Sequence, residues 1–224
     1  MSAERSRWRL RGLYAITPEE GETDRLLERV AACLSGGAGA LQYRAKSSTA
    51  SSRLAQARAL AALCRSHAVP FIVNDSLELA LEIGADGLHL GRDDGDVAEA
   101  RKRFAGLLGV SCYDELERAR AAVAAGADYV AFGSVFASAT KPAAVHAPLA
   151  LLREAKRTLG RPIVAIGGIT ARNARAAIDA GADMVAVISA VFDAPDVGAA
   201  ARRIARLFDN DEANDDVRAQ PRAL

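Results

Sequence analysis

The residues best suited to chemistry stand where short apolar runs stop. Gln42-Tyr43-Arg44-Ala45-Lys46 ends the run from Ala40, Asn74-Asp75 ends Phe71-Ile72-Val73, and Arg92-Asp93-Asp94 follows Gly87 to Gly91. Ser111 closes Gly109-Val110, and Ser138-Ala139-Thr140-Lys141 closes the run from Val130 to Phe136. Gly167-Gly168 closes Ile163 to Ile166, and Ser189 closes Met184 to Ile188. Cations and small polar groups suit phosphate oxygens, and two separated carboxylates suit a metal ion.

Asp75 and Asp94 end the third and fourth runs. Neighbouring strands lie about 4.8 Å apart, so carboxylates on adjacent strand ends can share one Mg²⁺, with phosphate oxygens and water completing its shell. Asp93 is the rival for Asp94; the bland alternative is a helix N-cap for Asp94 and a surface turn for Asp93. Arg44 and Lys46, two apart, are expected on one face of one strand, where two cations repel unless an anion lies between them. The alternative is a solvated strand end. Gln42 shares that face and suits hydrogen bonds to a substrate ring. Lys141 adds a third cation; its rival role, a Schiff-base lysine, fits poorly because it follows a strand instead of lying within one. Gly167-Gly168 and Ile188-Ser189 offer backbone N–H groups at following helix N-termini, which favour a second anion. His89 reads as a packed histidine with one satisfied nitrogen, and His67 and His146 as a surface and a loop residue. No metalloprotease, nucleophile-elbow, Walker or dinucleotide pattern has a supporting context.

Positioning these groups requires parallel strands whose carboxyl ends point one way. Strands are predicted near 13–17, 40–45, 71–74, 87–91, 107–111, 129–135, 163–167 and 184–189. Helices are predicted near 23–36, 51–68, 76–84, 96–104, 114–125, 148–159, 170–180 and 196–208. Leu54, Ala57, Ala61 and Cys64 recur at helical spacing. Thr170 suits an N-cap and Pro148 a first helical turn. Gly37-Ala38-Gly39, Gly84-Ala85-Asp86, Gly126-Ala127-Asp128 and Gly181-Ala182-Asp183 recur 47, 42 and 55 residues apart, each between a helical run and a strand. Glycine there suits a left-handed helix C-cap. Four such units of two βα pairs make an α/β fold, a single (β/α)8 TIM barrel. The longest unstructured piece, 137–147, follows the sixth strand on the active face, and it is expected to close over substrate.

The 224 residues suit one domain, and half are apolar. The net charge of +1 points to neither nucleic acid nor a membrane surface. Cys33, Cys64 and Cys112, three and without a CxxC spacing, read as reduced core thiols of a cytoplasmic protein. Cys112 as a nucleophile would need a base partner that the sequence does not place. No run reaches the ~20 apolar residues of a membrane span. Residues 1–12 form a basic extension, whose Trp8 and Leu10 suit the bottom of a barrel. Residues 13–208 form the catalytic barrel, and 209–224 an acidic, disordered tail.

From Leu13-Tyr14-Ala15-Ile16-Thr17 to about Phe208 the chain resembles the thiamine-phosphate synthase (thiamine phosphate pyrophosphorylase) family. Gln42 to Lys46 looks like its pyrimidine-pyrophosphate motif. Asn74-Asp75 and His89-Leu90-Gly91 through Asp94 look like its metal segments, and Gly109-Val110-Ser111 like its pyrophosphate serine segment. Thr140-Lys141-Pro142 resembles its loop motif. Ile166-Gly167-Gly168-Ile169 and Val187-Ile188-Ser189-Ala190 are similar to its thiazole-phosphate segments. Where the family often has Leu-Arg-Glu-Lys this chain has Tyr43-Arg44-Ala45-Lys46, which loses the acid and keeps both cations. Arg92 stands where the family often has Gln, and Ser138-Ala139-Thr140-Lys141 where it often has Thr-Pro-Thr-Lys.

The resemblance implies a transferase joining hydroxymethylpyrimidine diphosphate to a thiazole phosphate (or its carboxylate form), with pyrophosphate released and one Mg²⁺ on Asp75 and Asp94. It implies pyrimidine-diphosphate contacts from Gln42, Tyr43, Arg44, Ala45, Lys46, Asn74, Ser111 and Lys141, with Arg44, Lys46, Ser111 and Lys141 assisting the chemistry. It implies thiazole-phosphate contacts from Ser138, Ala139, Thr140, Gly168, Ile188 and Ser189. The expected partners are these small molecules; a homo-oligomer is left open. The alternatives are a thiazole tautomerase on the same barrel and a non-catalytic thiazole phosphate-binding barrel.

Overall fold

A computed structural model of the chain describes residues 7–137 and 145–209. Eight strands, each parallel to its neighbours, close into a barrel in chain order. They are β1 (Gly12–Ile16), β2 (Ala38–Tyr43), β3 (Phe71–Asn74), β4 (Gly87–Leu90), β5 (Leu107–Tyr113), β6 (Tyr129–Phe132), β7 (Ile163–Ile166) and β8 (Met184–Val187). The described helices are α1 (Thr23–Ser35), α2 (Ala50–Ser66), α3 (Leu77–Ile83), α4 (Val97–Arg103), α5 (Leu116–Ala124), α6 (Leu149–Leu159), α7 (Ala174–Asp179), α8 (Ser189–Phe192) and α9 (Val197–Ala205). The predicted (β/α)8 barrel is the observed fold.

The strands are apolar on both faces because each face meets a different core. One face packs against the helices, where Leu41, Val73, Leu88 and Val110 are fully buried. The other fills the barrel interior, where Tyr14, Ile72, Tyr129, Val164 and Met184 interdigitate. Leu10 and the partly buried Trp8 join that interior cluster beside the start of β1.

The glycine repeat has the conformation its position requires. Gly37, Gly84, Gly126 and Gly181 all have positive φ, between 61° and 103°. Its aspartates have a structural task that sequence reasoning missed. Each accepts the N–H of the strand before its own: Asp86 from Phe71 at 3.0 Å, Asp128 from Leu108 at 2.9 Å, and Asp183 from Ile163 at 2.9 Å. The first copy carries Gly39 instead, where a Cβ would lie 2.5 Å from the Arg11 carbonyl oxygen.

Local hydrogen bonds move several element ends. β2 stops at Tyr43, because Thr17 Oγ1 accepts the Arg44 N–H at 2.9 Å and Glu19 accepts the Lys46 N–H at 2.8 Å. Arg44 and Lys46 therefore lie beyond the strand and share no strand face. β6 stops at Phe132, since Ser134 leaves the ladder to bond its N–H to the Val145 carbonyl at 2.7 Å. Thr170 is not the N-cap of α7; it opens a preceding turn in which its carbonyl accepts from Asn173 and Ala174. Pro148 takes the N-cap position of α6, one residue before its first turn. The short helix α8, absent from the sequence reading, begins at Ser189.

Candidate active site

The polar groups at the strand ends assemble on the rim that β2, β3 and β4 share. Glu19, in the turn after β1, organises the start of this rim. Its carboxylate accepts from the Lys46 N–H at 2.8 Å and the Ser47 hydroxyl at 2.6 Å, and lies 3.4 Å from the Arg44 guanidinium. Burial opposes its charge, but bonds from Ser47 and the Lys46 and Ser47 N–H groups, helped by Arg44, hold it below the usual carboxylate range. Lys46 Nζ reaches Asp75 Oδ2 at 3.1 Å. Each cation thus meets a carboxylate. Lys46, Asn74 and Asp75, with Tyr43, Ala45 and Arg53, line a cavity of about 220 Å³. Tyr43 is buried, and its hydroxyl donates to Gln56 Oε1 of α2 at 2.8 Å.

Asp75 and Asp94 meet across this rim. Asp75 takes a left-handed backbone, φ 66°, while its N–H bonds the His89 carbonyl at 2.9 Å. That conformation is uncommon for a residue with a side chain and costs on the order of 1 kcal/mol. It is held by bonds on either side, since the Ser76 N–H also bonds Asn74 O at 2.8 Å. Asp94 is turned inward, accepting the Gly91 N–H at 2.7 Å, whereas Asp93 is exposed. Asp96, not Asp94, caps α4. The Asp94 carboxyl is held above its usual range first by burial and then by a hydrogen bond and the charge of Asp75; Gly91 and Lys46 act the other way. Asp94, whose ionisation its neighbour opposes, and Asp75, with an ammonium alongside, form a carboxylate pair whose repulsion a divalent cation relieves. They fit the two-carboxylate share of a Mg²⁺ shell. Among the described residues no group of three His, Cys, Asp or Glu converges as a metal cluster.

Gln42 and Ser111 face the barrel interior. His89 Nε2 lies 2.9 Å from Ser111 Oγ, and Nδ1 lies 3.1 Å from the Tyr129 hydroxyl, so both ring nitrogens are engaged where the sequence suggested one. Burial pushes the imidazole down to about 4, with Asp94 only partly opposing. Arg118 on α5 binds the β5 end to the β4 end, donating to Ser111 O at 2.9 Å and Gly91 O at 3.2 Å. Arg92 lies over the Tyr113 ring at 4.9 Å and pairs with Glu115. Cys112 is buried and burial pushes its thiol up to about 12, so it is not poised as a nucleophile.

Across the same rim, Gly168 has φ 62°, and a Cβ there would lie 2.3 Å from the Ala137 carbonyl oxygen. Only glycine lets the β7 turn pass so close to the chain that enters residues 138–144. Ile188 precedes α8 and Ser189 begins it. Ser138, Ala139, Thr140 and Lys141 lie outside the described residues. Past them, His146 Nδ1 approaches the Ser134 carbonyl at 3.2 Å, and the Ala147 N–H bonds it at 2.9 Å. Glu19 and Arg118 were missed by sequence reasoning. A signal for Glu19 existed: it follows Thr17 at the end of β1, the one strand end not read for chemistry. Arg118 gives no such signal, because it reaches the site from a helix. A larger cavity, about 450 Å³, lies at the far end of the barrel among Arg9, Arg11, Arg202 and Arg206, away from these groups.

A closed eight-stranded parallel barrel with facing carboxylates and cations on its C-terminal rim defines a (β/α)8 barrel with an enzyme-like site. The family model described as thiamine monophosphate synthase matches residues 13–191. The chain is 58% identical over 203 residues to the thiamine-phosphate synthase of Aromatoleum aromaticum, covering 90% of this chain and 98% of that one. It is also 58% identical to that of Chromobacterium violaceum over 202 residues, 89% of this chain and 97% of that one. The thiamine phosphate pyrophosphorylase structure from Pyrococcus furiosus superposes with a TM-score of 0.82 at 35% identity, covering 90% of this chain and 96% of that one. The chain belongs to the thiamine monophosphate synthase family.

Proposed function

We propose that the protein is a thiamine-phosphate synthase, a transferase that joins hydroxymethylpyrimidine diphosphate to a thiazole phosphate (or its carboxylate form) and releases pyrophosphate. The observation that carries this reading is the facing pair Asp75 and Asp94 beside Lys46, in a chain of this family.

Asp75 and Asp94 would hold one Mg²⁺, which when bound supplies positive charge to the diphosphate oxygens. Arg44 and Lys46 bring cations to the same leaving group, and Asn74 and Ser111 supply polar contacts. Lys141 belongs with them by its place in the family's loop motif. Gln42 orients the pyrimidine ring. Neutralising the diphosphate lets the methylene C–O bond break, with its electron pair leaving on oxygen. The thiazole nitrogen then forms the C–N bond with its own lone pair. Gly168, Ile188 and Ser189, with Ser138, Ala139 and Thr140, would hold the thiazole phosphate. No base is required, because the attacking nitrogen carries no proton. A site with several anion-binding groups suits this chemistry. The tautomerase and the silent binder would have no use for a carboxylate pair beside cations.

The test is pyrophosphate release by the purified protein with both substrates, with and without Mg²⁺. Release requiring both substrates and the metal is the expected result. No release by folded protein that still binds a thiazole phosphate would overturn the proposal in favour of the tautomerase or the silent binder.

A further inference from the structure

Five side chains cross the barrel interior in one unbroken hydrogen-bonded line. Gln42 Nε2 donates to the Tyr14 hydroxyl at 2.8 Å, and Tyr14 and Tyr129 share a bond of 2.8 Å. The line continues from the Tyr129 hydroxyl to His89 Nδ1 at 3.1 Å and from His89 Nε2 to Ser111 Oγ at 2.9 Å. Tyr14 and Tyr129 are 1% exposed, Gln42 3% and His89 6%. The line spans the bore because Gly109 makes room: a Cβ there would lie 2.0 Å from the Tyr129 ring. The rings also pack on one another, with Tyr129 stacked on His89 at 5.6 Å and edge-on to Tyr14 at 6.0 Å. No buried side-chain nitrogen or oxygen among the described residues lacks a partner.

Counting hydrogens fixes how such a line behaves. Tyr14, Tyr129 and a neutral His89 each own one polar hydrogen, and the line has four bonds. One end must therefore supply the fourth, and all four bonds must run the same way. Reversing one alone leaves a buried donor or acceptor unmatched, which is costly in the interior. If Gln42 gives, His89 carries its proton on Nε2 and the Ser111 hydroxyl hydrogen is spare. If Ser111 gives, that hydrogen is consumed inside the barrel. A diphosphate has only acceptors, so Ser111 serves it only in the first arrangement.

We propose that Tyr14, Tyr129 and His89 are positioning residues. They form a one-way hydrogen-bonded line, driven from the Gln42 amide, that keeps the Ser111 hydroxyl hydrogen available for an anionic ligand. The same polarity leaves the Gln42 carbonyl oxygen as the acceptor at its own end, so the two substrate contacts are set together. The proposal rests on the function assigned above.

The first experiment is a double-mutant cycle between Tyr129→Phe and Ser111→Ala, checked for native melting. Tyr129→Phe should raise KM for the pyrimidine diphosphate about tenfold, the worth of one hydrogen bond. It should leave KM for the thiazole phosphate unchanged, and its effect should vanish in the Ser111→Ala background. A full tenfold effect in that background, or an equal rise in both KM values, would overturn the proposal. Tyr14→Phe cuts the same line at another bond and should reproduce the pattern if Tyr129→Phe fails to fold. The second experiment does not depend on turnover. In protein with His67 and His146 replaced, nitrogen NMR in the presence of inorganic pyrophosphate should find the His89 proton on Nε2. A proton on Nδ1 overturns the line's direction. Wild-type protein that releases no pyrophosphate refutes the assigned function, and the tautomer then decides the line separately.

Discussion

At the scale of single residues, the field around Asp94 is unfavourable to its charge, and that is the most informative electrostatic fact about the site. Burial and the neighbouring Asp75 both raise it from its ordinary 3.8. A carboxyl raised in the folded state favours folding when protonated. That contribution is complete below the unfolded value and is lost as pH rises through the raised folded value. A Mg²⁺ held by Asp75 and Asp94 would offset the same repulsion at higher pH. Thermal melts should therefore show a Mg²⁺-dependent gain at pH about 7 that shrinks on acidification through the carboxylate range. A gain equal at all pH values would count against the Asp75–Asp94 site. Asp75→Ala should cut turnover by roughly 10²–10³-fold while the circular dichroism spectrum stays native. Near-wild-type turnover in that variant would sink the metal assignment.

At the scale of elements, the carboxylates that set strand and loop ends divide into two kinds. Glu19 shapes the rim: it fixes the chain after β2 by accepting the Lys46 N–H and pairing with the Arg44 guanidinium. Its depressed titration means that this anchorage is present above the ordinary glutamate range and is lost as pH falls through the lower folded value. Glu19→Gln should raise KM for the pyrimidine diphosphate several-fold with a smaller change in kcat, measured by steady-state kinetics. Asp128 belongs to the other kind. It is 7% exposed, pairs with Arg101 at 2.9 Å and accepts the Leu108 N–H, at the end of the barrel far from the rim. Asp128→Ala removes the carboxylate partner of the Arg101 guanidinium and the acceptor of the Leu108 N–H, so denaturant unfolding should report a loss of about 3 kcal/mol with KM unchanged. The Gly-Ala-Asp repeat made both glycine and aspartate visible in the sequence. Only the glycine's role was readable there, since a C-cap is a local conformation and the aspartate's partner lies 15 to 20 residues earlier.

At the scale of the whole molecule, the two cores on either side of the sheet make the barrel one cooperative body. Cys33, Cys64 and Cys112 are all free and buried in the outer core, and burial pushes the first and last up to about 12. A thiol reagent should therefore modify all three only as the barrel unfolds, with labelling and loss of circular dichroism following the same denaturant curve. Rapid labelling of a native thiol would mean that part of the helical layer opens by itself. No helix among the described residues is long and apolar enough to cross a membrane.

Much of this protein was determined by its sequence alone. Alternating apolar runs, glycine caps and polar strand ends carry the (β/α)8 fold, and Asp75, Asp94, Lys46 and Ser111 stood out because strand direction alone puts them on one rim. These features depend on short-range periodicity and stereochemistry, which a linear reading contains. Three things were decided only in three dimensions. Arg44 and Lys46 were placed past the end of β2, where Glu19 from another strand end binds the Arg44 guanidinium and the Lys46 and Ser47 N–H groups. Asp94, and not Asp93, was turned toward Asp75, where its carboxylate accepts the Gly91 N–H. The interior line from Gln42 to Ser111 joins residues from five strands, and it exists only because barrel closure brings β1 and β2 opposite β4, β5 and β6 across a bore filled by their side chains.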